Sequence, residues 1–424
     1  EGLVHRPPDD WSARILQFLG ESLYTQGQYR EAYTYYQQSL DLFRTVGDAV
    51  DVRLLLCAIG DTHYAQGNYD RAIEHHQKSL AIVQAANLAF AEGIALGSLG
   101  NIYEAKGDYP KAIDYHQQHL EIACQTKDME MEGAALGNLG ACYHSLGDYA
   151  KATDYHQQHL AIAQTIGNRQ GESNALGGLG SAAYNLGDYA NAKLYFEQQQ
   201  AIAQDIGDRQ GEGSAAGGLG NVCFSLGDYS DAIAFHQQHS AIAQGLGDQR
   251  GYLHALGNLG NVHTATEDYT KAIDCYQQQL TIAKDMGDGL GEAIAYGNLG
   301  VVFHALGQYA ESFVAMRQQL ALAQTLGDRR GEAQALGNLG NVYLATNDLV
   351  QAEAHYHQAI AIARAISDRQ TVANTLSDIG ELYRVQGERV KAKDYYQQSL
   401  LLFTTLGDPS GIDRVQAKLR ELSL

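Results

Sequence analysis

The chain has 424 residues and a formal net charge of −20, with 29 Lys and Arg against 49 Asp and Glu. This excess of acid disfavours nucleic acid, which needs a basic surface to displace counterions, and it equally disfavours anionic membrane surfaces. The five cysteines form no CxxC pair and no zinc-type spacing, which favours reduced thiols. No apolar run approaches the roughly 18 residues of a membrane-spanning helix. We therefore predict a cytoplasmic protein without a cofactor.

A glycine recurs every forty residues along nearly the whole chain, without insertion or deletion. A fixed period of this length is typical of a solenoid, in which each repeat buries its apolar face against its neighbours. The sequence therefore predicts an all-α fold, a solenoid superhelix of about ten antiparallel helix hairpins. The recurring glycines are Gly20, Gly60, Gly100, Gly140, Gly180, Gly220, Gly260, Gly300, Gly340 and Gly380.

Residues 1–10 are predicted to be an N-terminal lead-in, because Pro7 and Pro8 exclude a helix there. Residues 11–407 then form ten 40-residue repeats in one solenoid domain, each with a first helix (helix A) and a second helix (helix B). A two-residue turn joins the two helices, which must therefore lie antiparallel. Residues 408–424 form a C-terminal capping helix, in which Arg420 stands where the recurring glycine would be.

Aspartates recur at both turns of the repeat, and we interpret them as helix N-caps. They are Asp108, Asp148, Asp188 and Asp228 in one turn and Asp208, Asp248, Asp288 and Asp328 in the other. The recurring glycine lies inside helix A, where it costs about 1 kcal/mol relative to alanine. We interpret it as the point where helix B crosses too closely for a β-carbon, with Ala192 and Ala232 as matching small residues on helix B.

The pattern resembles the tetratricopeptide repeat over nearly the whole chain. In one repeat the resemblance rests on Leu139, Gly140, Tyr143, Ala152, His156 and Leu160, which stand at that family's large, small and aromatic positions. The forty-residue length and the Leu-Gly-Asn and Gly-Asp-Tyr strings look most like the Leu-Gly-Asn-repeat or Pins-type scaffolds, and long bacterial repeat arrays are similar too. The resemblance implies a superhelix whose A helices line a concave groove that holds an extended peptide.

On the family's register, this groove carries a row of asparagines and, one turn further, a row of mostly aromatic side chains. The residues predicted to bind peptide are Asn101, Asn221, Asn261, Asn341, Tyr64, His144, Tyr184, Phe224 and His304. An asparagine amide can both donate to and accept from a peptide backbone, although asparagine also simply tolerates a solvated helix face. Glycines stand where Pins-type scaffolds often carry bulkier residues, which predicts a wide and bare groove floor at Gly137, Gly257, Gly297 and Gly337.

Three histidine pairs have a spacing that could chelate a metal, namely His116/His119, His156/His159 and His236/His239. They belong to a repeated string, and no cysteine or carboxylate stands beside them at ligand spacing, so we predict no metal site. The sequence also lacks a phosphate-binding loop and a catalytic arrangement outside the repeat. It therefore predicts no catalytic or cofactor-binding residue and no enzyme.

The leading hypothesis is a non-catalytic protein–protein interaction scaffold that binds a peptide or extended segment of a partner in the groove. The alternative is a self-assembling rod or the regulatory repeat region of a larger signalling protein, since the open ends of a solenoid invite contacts between copies. We also expect the segment 181–265 to hold the main contact surface and to exchange its amides faster, because Gln200 and Ser240 replace a leucine expected to be buried.

Overall fold

The computed structural model of the protein describes residues 8–46 and 49–423, and every regular element in these ranges is an α-helix. The contacts divide the chain into two compact bodies, an N-terminal body that ends at Val222 and a C-terminal body that starts at Cys223. Each body is built from repeating pairs of helices, so the all-α prediction is confirmed. Odd-numbered helices from α1 to α19 are A helices, and even-numbered helices are B helices.

The helices of the N-terminal body are α1 (Pro8–Thr25), α2 (Tyr29–Val46), α3 (Ala49–Ala65), α4 (Tyr69–Ala85), α5 (Ala89–Ala105), α6 (Tyr109–Thr126), α7 (Met129–Ser145), α8 (Tyr149–Ile166), α9 (Arg169–Asn185) and α10 (Tyr189–Ile206). The boundary between the bodies falls within α11 (Arg209–Leu226). The C-terminal body continues with α12 (Tyr229–Leu246), α13 (Gln249–Ala265), α14 (Tyr269–Met286), α15 (Gly289–Ala305), α16 (Tyr309–Leu326), α17 (Arg329–Ala345), α18 (Leu349–Ala365), α19 (Arg369–Val385), α20 (Arg389–Leu406) and α21 (Pro409–Ser423).

The first helix begins earlier than the sequence suggested. Helix α1 starts at Pro8, within the segment predicted to be a non-helical lead-in. Proline is compatible with the first position of a helix, where its missing N–H would have no partner in any case. Pro8 therefore starts the helix instead of excluding it, as Pro409 does in α21. Pro7 and the rest of residues 1–7 lie outside the described residues.

The turns of the repeat are built as the aspartates predict. Each predicted cap except Asp228 accepts a hydrogen bond from the backbone N–H three residues further on, as Asp288 Oδ1 does from Gly291 at 3.0 Å. The glycine before such a cap closes the preceding helix in a left-handed conformation, with φ of +66° at Gly287. Glycine reaches this conformation without steric cost, so the turns are specified locally.

The recurring glycine inside helix A marks a helix crossing, but its main partner differs from the predicted alanine. A β-carbon on Gly180 would lie 2.7 Å from the ring of Phe196, and one on Gly380 would lie 2.6 Å from the ring of Tyr396. Both rings come from helix B of the same repeat. The small helix B residue that was predicted to match the glycine also lies close. In the repeat of Gly300 this residue is Ser312, whose Oγ donates to the Gly300 carbonyl at 2.8 Å. The glycine therefore makes room for a large ring, and the small helix B residue packs beside it.

Two further sequence expectations concern the cysteines and the membrane. None of the five cysteines forms a disulfide within the described residues, and Cys142 and Cys223 are buried. Over residues 8–46 and 49–423, no helix combines the length and the apolar character that a bilayer span needs.

Candidate functional site

Cavities recur between consecutive A helices in both bodies. In the N-terminal body, a cavity of about 660 Å³ lies between α7 and α9. In the C-terminal body, a cavity of about 170 Å³ lies between α13 and α15, and one of about 540 Å³ lies between α17 and α19. Each of them opens on the A-helix faces, where the groove was predicted. We call the largest the α7–α9 cavity and the last the α17–α19 cavity.

Glycines and histidines form the α7–α9 cavity. Its lining includes Gly133 and Gly137 on α7 and Gly177 and Gly178 on α9, so little side-chain volume projects between these helices. A β-carbon on Gly178 would lie 2.5 Å from the ring of His156. The glycine therefore lets a buried imidazole of α8 reach the cavity.

The imidazoles of the α7–α9 cavity are neutral near pH 7. Burial lowers the pKa of His156 to about 4, helped by the neighbouring His159. Burial also lowers the pKa of His144 and of His159. Asn185 Nδ2 on α9 lies 3.1 Å from His144 Nε2 on α7, a donor to the unprotonated nitrogen of a neutral ring. This cavity thus offers uncharged polar groups and apolar walls.

The α17–α19 cavity is charged by comparison. Its lining includes Arg330 on α17 and Arg414 and Lys418 on α21, together with the carboxylates Asp368 and Asp378. Short contacts fix each cation in place. Arg330 Nε lies 3.1 Å from Asp368 Oδ2. Arg414 Nη2 donates to Asn374 Oδ1 at 2.7 Å, and Lys418 Nζ donates to Ser377 Oγ at 3.2 Å.

One of these carboxyl groups titrates unusually. Burial raises the pKa of Asp378 to about 6, although Lys418 and Arg414 nearby act in the opposite direction. Below that pH the cavity carries three cationic side chains against the single carboxylate of Asp368. Above that pH Asp378 is ionised, and the three cationic side chains face the two carboxylates of Asp368 and Asp378.

The predicted asparagine row takes part in contacts between repeats. Asn101 Oδ1 accepts a hydrogen bond from Asn138 Nδ2 of the following repeat at 3.2 Å. At the same two positions in a later repeat, the Asn341 amide donates to the carboxylate of Asp378. We call this contact the inter-repeat amide pair. It occupies part of the hydrogen-bonding capacity that we had assigned to a bound peptide.

Buried tyrosines use more of the hydrogen-bonding capacity of the asparagine row. Tyr276 Oη donates to Asn261 Oδ1 at 2.8 Å, and Tyr356 Oη donates to Asn341 Oδ1 at 2.7 Å. Asn101 and Asn261 are nevertheless exposed, whereas Asn221 and Asn341 are half-buried. The asparagines therefore make structural hydrogen bonds within and between repeats as well as lining the A-helix face.

The second predicted row packs against the turns. Each of its members contacts the ring of the tyrosine that begins helix B of the same repeat, with centroid separations from 5.3 Å at His144 to 5.9 Å at Tyr64. Tyr64 is 40% exposed, and the others are half-buried. The members so placed are Tyr64, His144, Tyr184, Phe224 and His304. Of all predicted peptide-binding residues, His144 and Asn261 line the cavities described above.

The groove floor is less bare than the glycines predict. A β-carbon on Gly257 or on Gly297 would lie 2.7 Å from the amide nitrogen of a buried glutamine, Gln279 or Gln319. Helix B thus fills the space that these glycines leave. Gly337 differs, because only Thr375 Oγ1 lies near it, at 3.8 Å. A β-carbon on Gly137 would lie 3.0 Å from His159, so among the four predicted glycines the floor is open at Gly337.

The expected contact segment has a weaker basis than the sequence suggested. Gln200 and Ser240 are both half-buried, and so are the leucines at the equivalent positions 160 and 280. A polar side chain at a half-buried position costs less than one at a buried position.

Sequence reasoning also missed Arg414, Lys418 and Asp378, although Asp378 was visible as an acid where neighbouring repeats carry asparagine.

Comparison with known proteins identifies the repeat. The family model described as tetratricopeptide repeat matches nine overlapping segments, residues 11–85, 51–125, 91–165, 131–205, 171–245, 211–285, 251–325, 291–365 and 331–405. In a comparison with curated proteins, no sequence matches this chain significantly.

Several solved structures share the fold at low sequence identity. A STAND signal transduction ATPase with a tetratricopeptide repeat sensor from Pyrococcus horikoshii is 15% identical over 92% of this chain and 54% of its own, with a TM-score of 0.59. A Rap protein complexed with competence and sporulation factor is 12% identical over 85% and 99%, with a TM-score of 0.57. Aspartyl phosphate phosphatase F from Bacillus subtilis is 12% identical over 85% and 95%, with a TM-score of 0.55.

This chain thus spans about half the length of the STAND protein. At such identities the similarity concerns the fold. The family model, by contrast, covers nearly all of the forty-residue repeats, and the helix pairs and glycine crossings have the form that the family pattern requires. The chain belongs to the tetratricopeptide repeat family.

Proposed function

We propose that this protein is a non-catalytic scaffold that binds an extended, acidic segment of a partner protein along its A helices. The observation that carries the proposal is the α17–α19 cavity, which gathers Arg330, Arg414 and Lys418 in a chain whose net charge is −20. Local cations in an acidic protein select an anionic group and disfavour a basic one.

The fixed cations suit recognition of a carboxylate. A guanidinium has five N–H donors, so the bonds to Asp368 and Asn374 leave Arg330 and Arg414 with donors to spare. A second anionic group can therefore join these cations without releasing the first partner. The amides of Gln334 and Asn338 also line the cavity and suit the backbone of an extended peptide.

The solved relatives support a binding role for this fold. One was solved as a complex of a Rap protein with competence and sporulation factor, and another contains a tetratricopeptide repeat sensor. Tetratricopeptide repeats in general mediate protein–protein interaction. An array with open A-helix cavities fits that use better than it fits catalysis.

A pair of glycine substitutions tests the proposal. Gly337→Gln places a side chain in the α17–α19 cavity, where Thr375 alone lies near the added β-carbon. The matched control is Gly245→Gln on the exposed side of α12, where no atom lies within 4 Å of the added β-carbon. Both changes replace a helical glycine and are expected to keep the fold or stabilise it by up to about 1 kcal/mol.

The probe is a displayed library of random peptides, selected on the wild-type protein. We expect acidic peptides to be enriched, to bind Gly245→Gln as they bind the wild type, and to lose at least about tenfold in affinity for Gly337→Gln, a loss of about 1.4 kcal/mol. Enrichment of basic or purely apolar peptides would contradict the proposal. Equal binding to both variants would contradict it as well.

Self-association is a second candidate function, because α1 presents an apolar face that is exposed among the described residues. Trp11, Ile15 and Phe18 follow one another at helical spacing and are 66%, 58% and 69% exposed. The outer face of α21 instead carries charged residues such as Asp413 and Arg420. An apolar patch of this kind marks an interaction surface, and two copies of the same patch can meet in a symmetric dimer.

A further inference from the structure

Two residues depart from the repeat at neighbouring places in the N-terminal body. Glu104 stands at the position where other repeats carry Tyr64, His144 or Tyr184. Cys142 stands at a position where other repeats carry an aliphatic residue such as Ile102. Either departure alone is an ordinary variation. Together they place a carboxylate and a thiol around the same helix B histidine.

The three side chains come from three consecutive helices. Glu104 lies on α5, His116 on α6 and Cys142 on α7, and one ligand atom from each lies within 4.8 Å of the other two. His116 and Cys142 are fully buried, and Glu104 is half-buried. A carboxylate oxygen, an imidazole nitrogen and a sulfur thus converge at one point of the core.

The imidazole of His116 is an independent sign of a missing partner. Neither of its ring nitrogens has a hydrogen-bond partner among the described residues, although the side chain is 0% exposed. An unsatisfied buried polar group costs about 1–3 kcal/mol. Other repeats place His76, His156 and His236 at the same position, or else Phe196 and Met316, which have no such requirement.

The side chains at this point offer the atoms that a metal ion takes as ligands. The Cys142 thiol hydrogen-bonds the Glu104 carboxylate. A divalent cation would replace the thiol proton, which leaves to solvent as the sulfur–metal bond forms.

We propose that Glu104, His116 and Cys142 form a binding site for Zn²⁺ that ties α5, α6 and α7 together. Thiolate, imidazole and carboxylate are the ligands that zinc takes in proteins. One thiolate and one carboxylate balance the charge of the ion, so the occupied site is neutral in the core. The second oxygen of Glu104 or a water molecule completes four-coordination.

Replacement by residues from other repeats tests the site without disturbing the fold. Cys142→Val introduces the residue found at Val262 and Val302 in the equivalent position. The control is Cys223→Ala, which removes another buried thiol and introduces the residue found at Ala183. Circular dichroism checks that both variants are folded.

The full-length chain, freed of metal with a chelator, is titrated with Co²⁺ and then with Zn²⁺. We expect the wild type and Cys223→Ala to bind one Co²⁺ with a thiolate-to-cobalt charge-transfer band that Zn²⁺ abolishes. Cys142→Val should lose the band and at least about 100-fold in Zn²⁺ affinity, more than the 10- to 100-fold cost of an outer-shell change. Zn²⁺ should also raise the Tm of the wild type and leave that of Cys142→Val unchanged.

Proton release gives a second, independent readout. Binding should release about one proton near pH 7, and the apparent Zn²⁺ affinity should rise about tenfold per pH unit. Glu104→Gln should weaken binding and retain the charge-transfer band at high Co²⁺ concentration, because the thiolate remains. The proposal is overturned if the wild type shows no band, or if Cys142→Val keeps it. In that case the three residues form a thiol–carboxylate hydrogen bond beside a packed histidine.

Discussion

A single carboxyl group controls the charge of the α17–α19 cavity. Asp378 takes the place of the asparagine found in neighbouring repeats at Asn298 and Asn338, and its carboxylate accepts a hydrogen bond from Asn341 at the position of the inter-repeat amide pair. Because burial raises its pKa to about 6 from an ordinary value of 3.8, the folded protein holds this proton more tightly than the unfolded chain does. Folding stability from this group is therefore fully present below about pH 4 and is lost as the pH rises through 6.

Asp378→Asn removes this pH dependence. An asparagine cannot ionise, so we expect the variant to be more stable than the wild type at pH 7–8 by up to about 3 kcal/mol, from 1.36 kcal/mol per pKa unit. The difference should shrink between pH 6 and pH 4 and vanish below. Urea unfolding of both proteins across this range measures it. A difference that stays constant with pH would show that the carboxyl titrates normally.

The recurring glycine of helix A sets how closely the two helices of a repeat approach. Gly380 faces Tyr396, which is 0% exposed and whose Oη donates to Glu381 Oε2 at 2.8 Å. The ring is held at both its packed face and its hydroxyl, so it cannot move aside for a methyl group. The same relation recurs at Gly180 with Phe196. The crossing is thus specified by a large ring on helix B and by the missing side chain of the glycine on helix A.

Gly380→Ala tests this crossing. Overpacking at such a contact costs about 1–3 kcal/mol, which exceeds the gain of about 1 kcal/mol that alanine brings to a helix. We expect a net loss of about 1–2 kcal/mol in the free energy of unfolding, measured by denaturant titration. The control Gly245→Ala lies in open space and should gain up to about 1 kcal/mol. Equal stabilisation by both changes would rule out the crossing contact.

Elements were predictable from sequence wherever their signals are local. The cap at Asp288, the left-handed Gly287 and the forty-residue period all act within a few residues or repeat identically, so they fix the helices and turns. The start at Pro8 was misjudged because proline is unfavourable inside a helix and favourable at its first position. The partner of the crossing glycine was misjudged because spacing alone does not say which helix B residue reaches it.

The candidate site was less predictable because its contacts join residues far apart in the chain. Arg414 meets Asn374 across forty residues, from a helix that departs from the repeat pattern. The asparagine row lies on the A helices, but no spacing rule shows that Tyr276 already donates to Asn261. Polar side chains of a repeat can bind one another as easily as a ligand. Composition does not separate the two uses.

At the scale of the whole molecule, the apolar face of α1 predicts concentration-dependent association. We expect the wild type to dimerise as its concentration rises, and Trp11→Gln with Phe18→Gln to remain monomeric with unchanged helicity. Burying two such rings contributes a few kcal/mol to the association, about 1.5–3 for each side chain. Light scattering coupled to size-exclusion chromatography measures the mass. A matched pair on the capping helix, Asp413→Asn with Arg420→Gln, should leave it unchanged.

The inter-repeat amide pair has a consequence for how such a protein can vary in length. The contact of Asn101 with Asn138 uses the same two positions as that of Asn341 with Asp378, whereas Ala141 and Gly178 stand at these positions in another pair of repeats and cannot form it. The ring at the glycine crossing also reaches the next repeat, since a β-carbon on Gly218 would lie 2.6 Å from the ring of Phe196. A block of forty residues can therefore be added or removed only where the repeats on both sides carry matching edge residues, such as Gly218 beside the ring of Phe196. The number of repeats can therefore change in whole steps of forty residues where the meeting edges match.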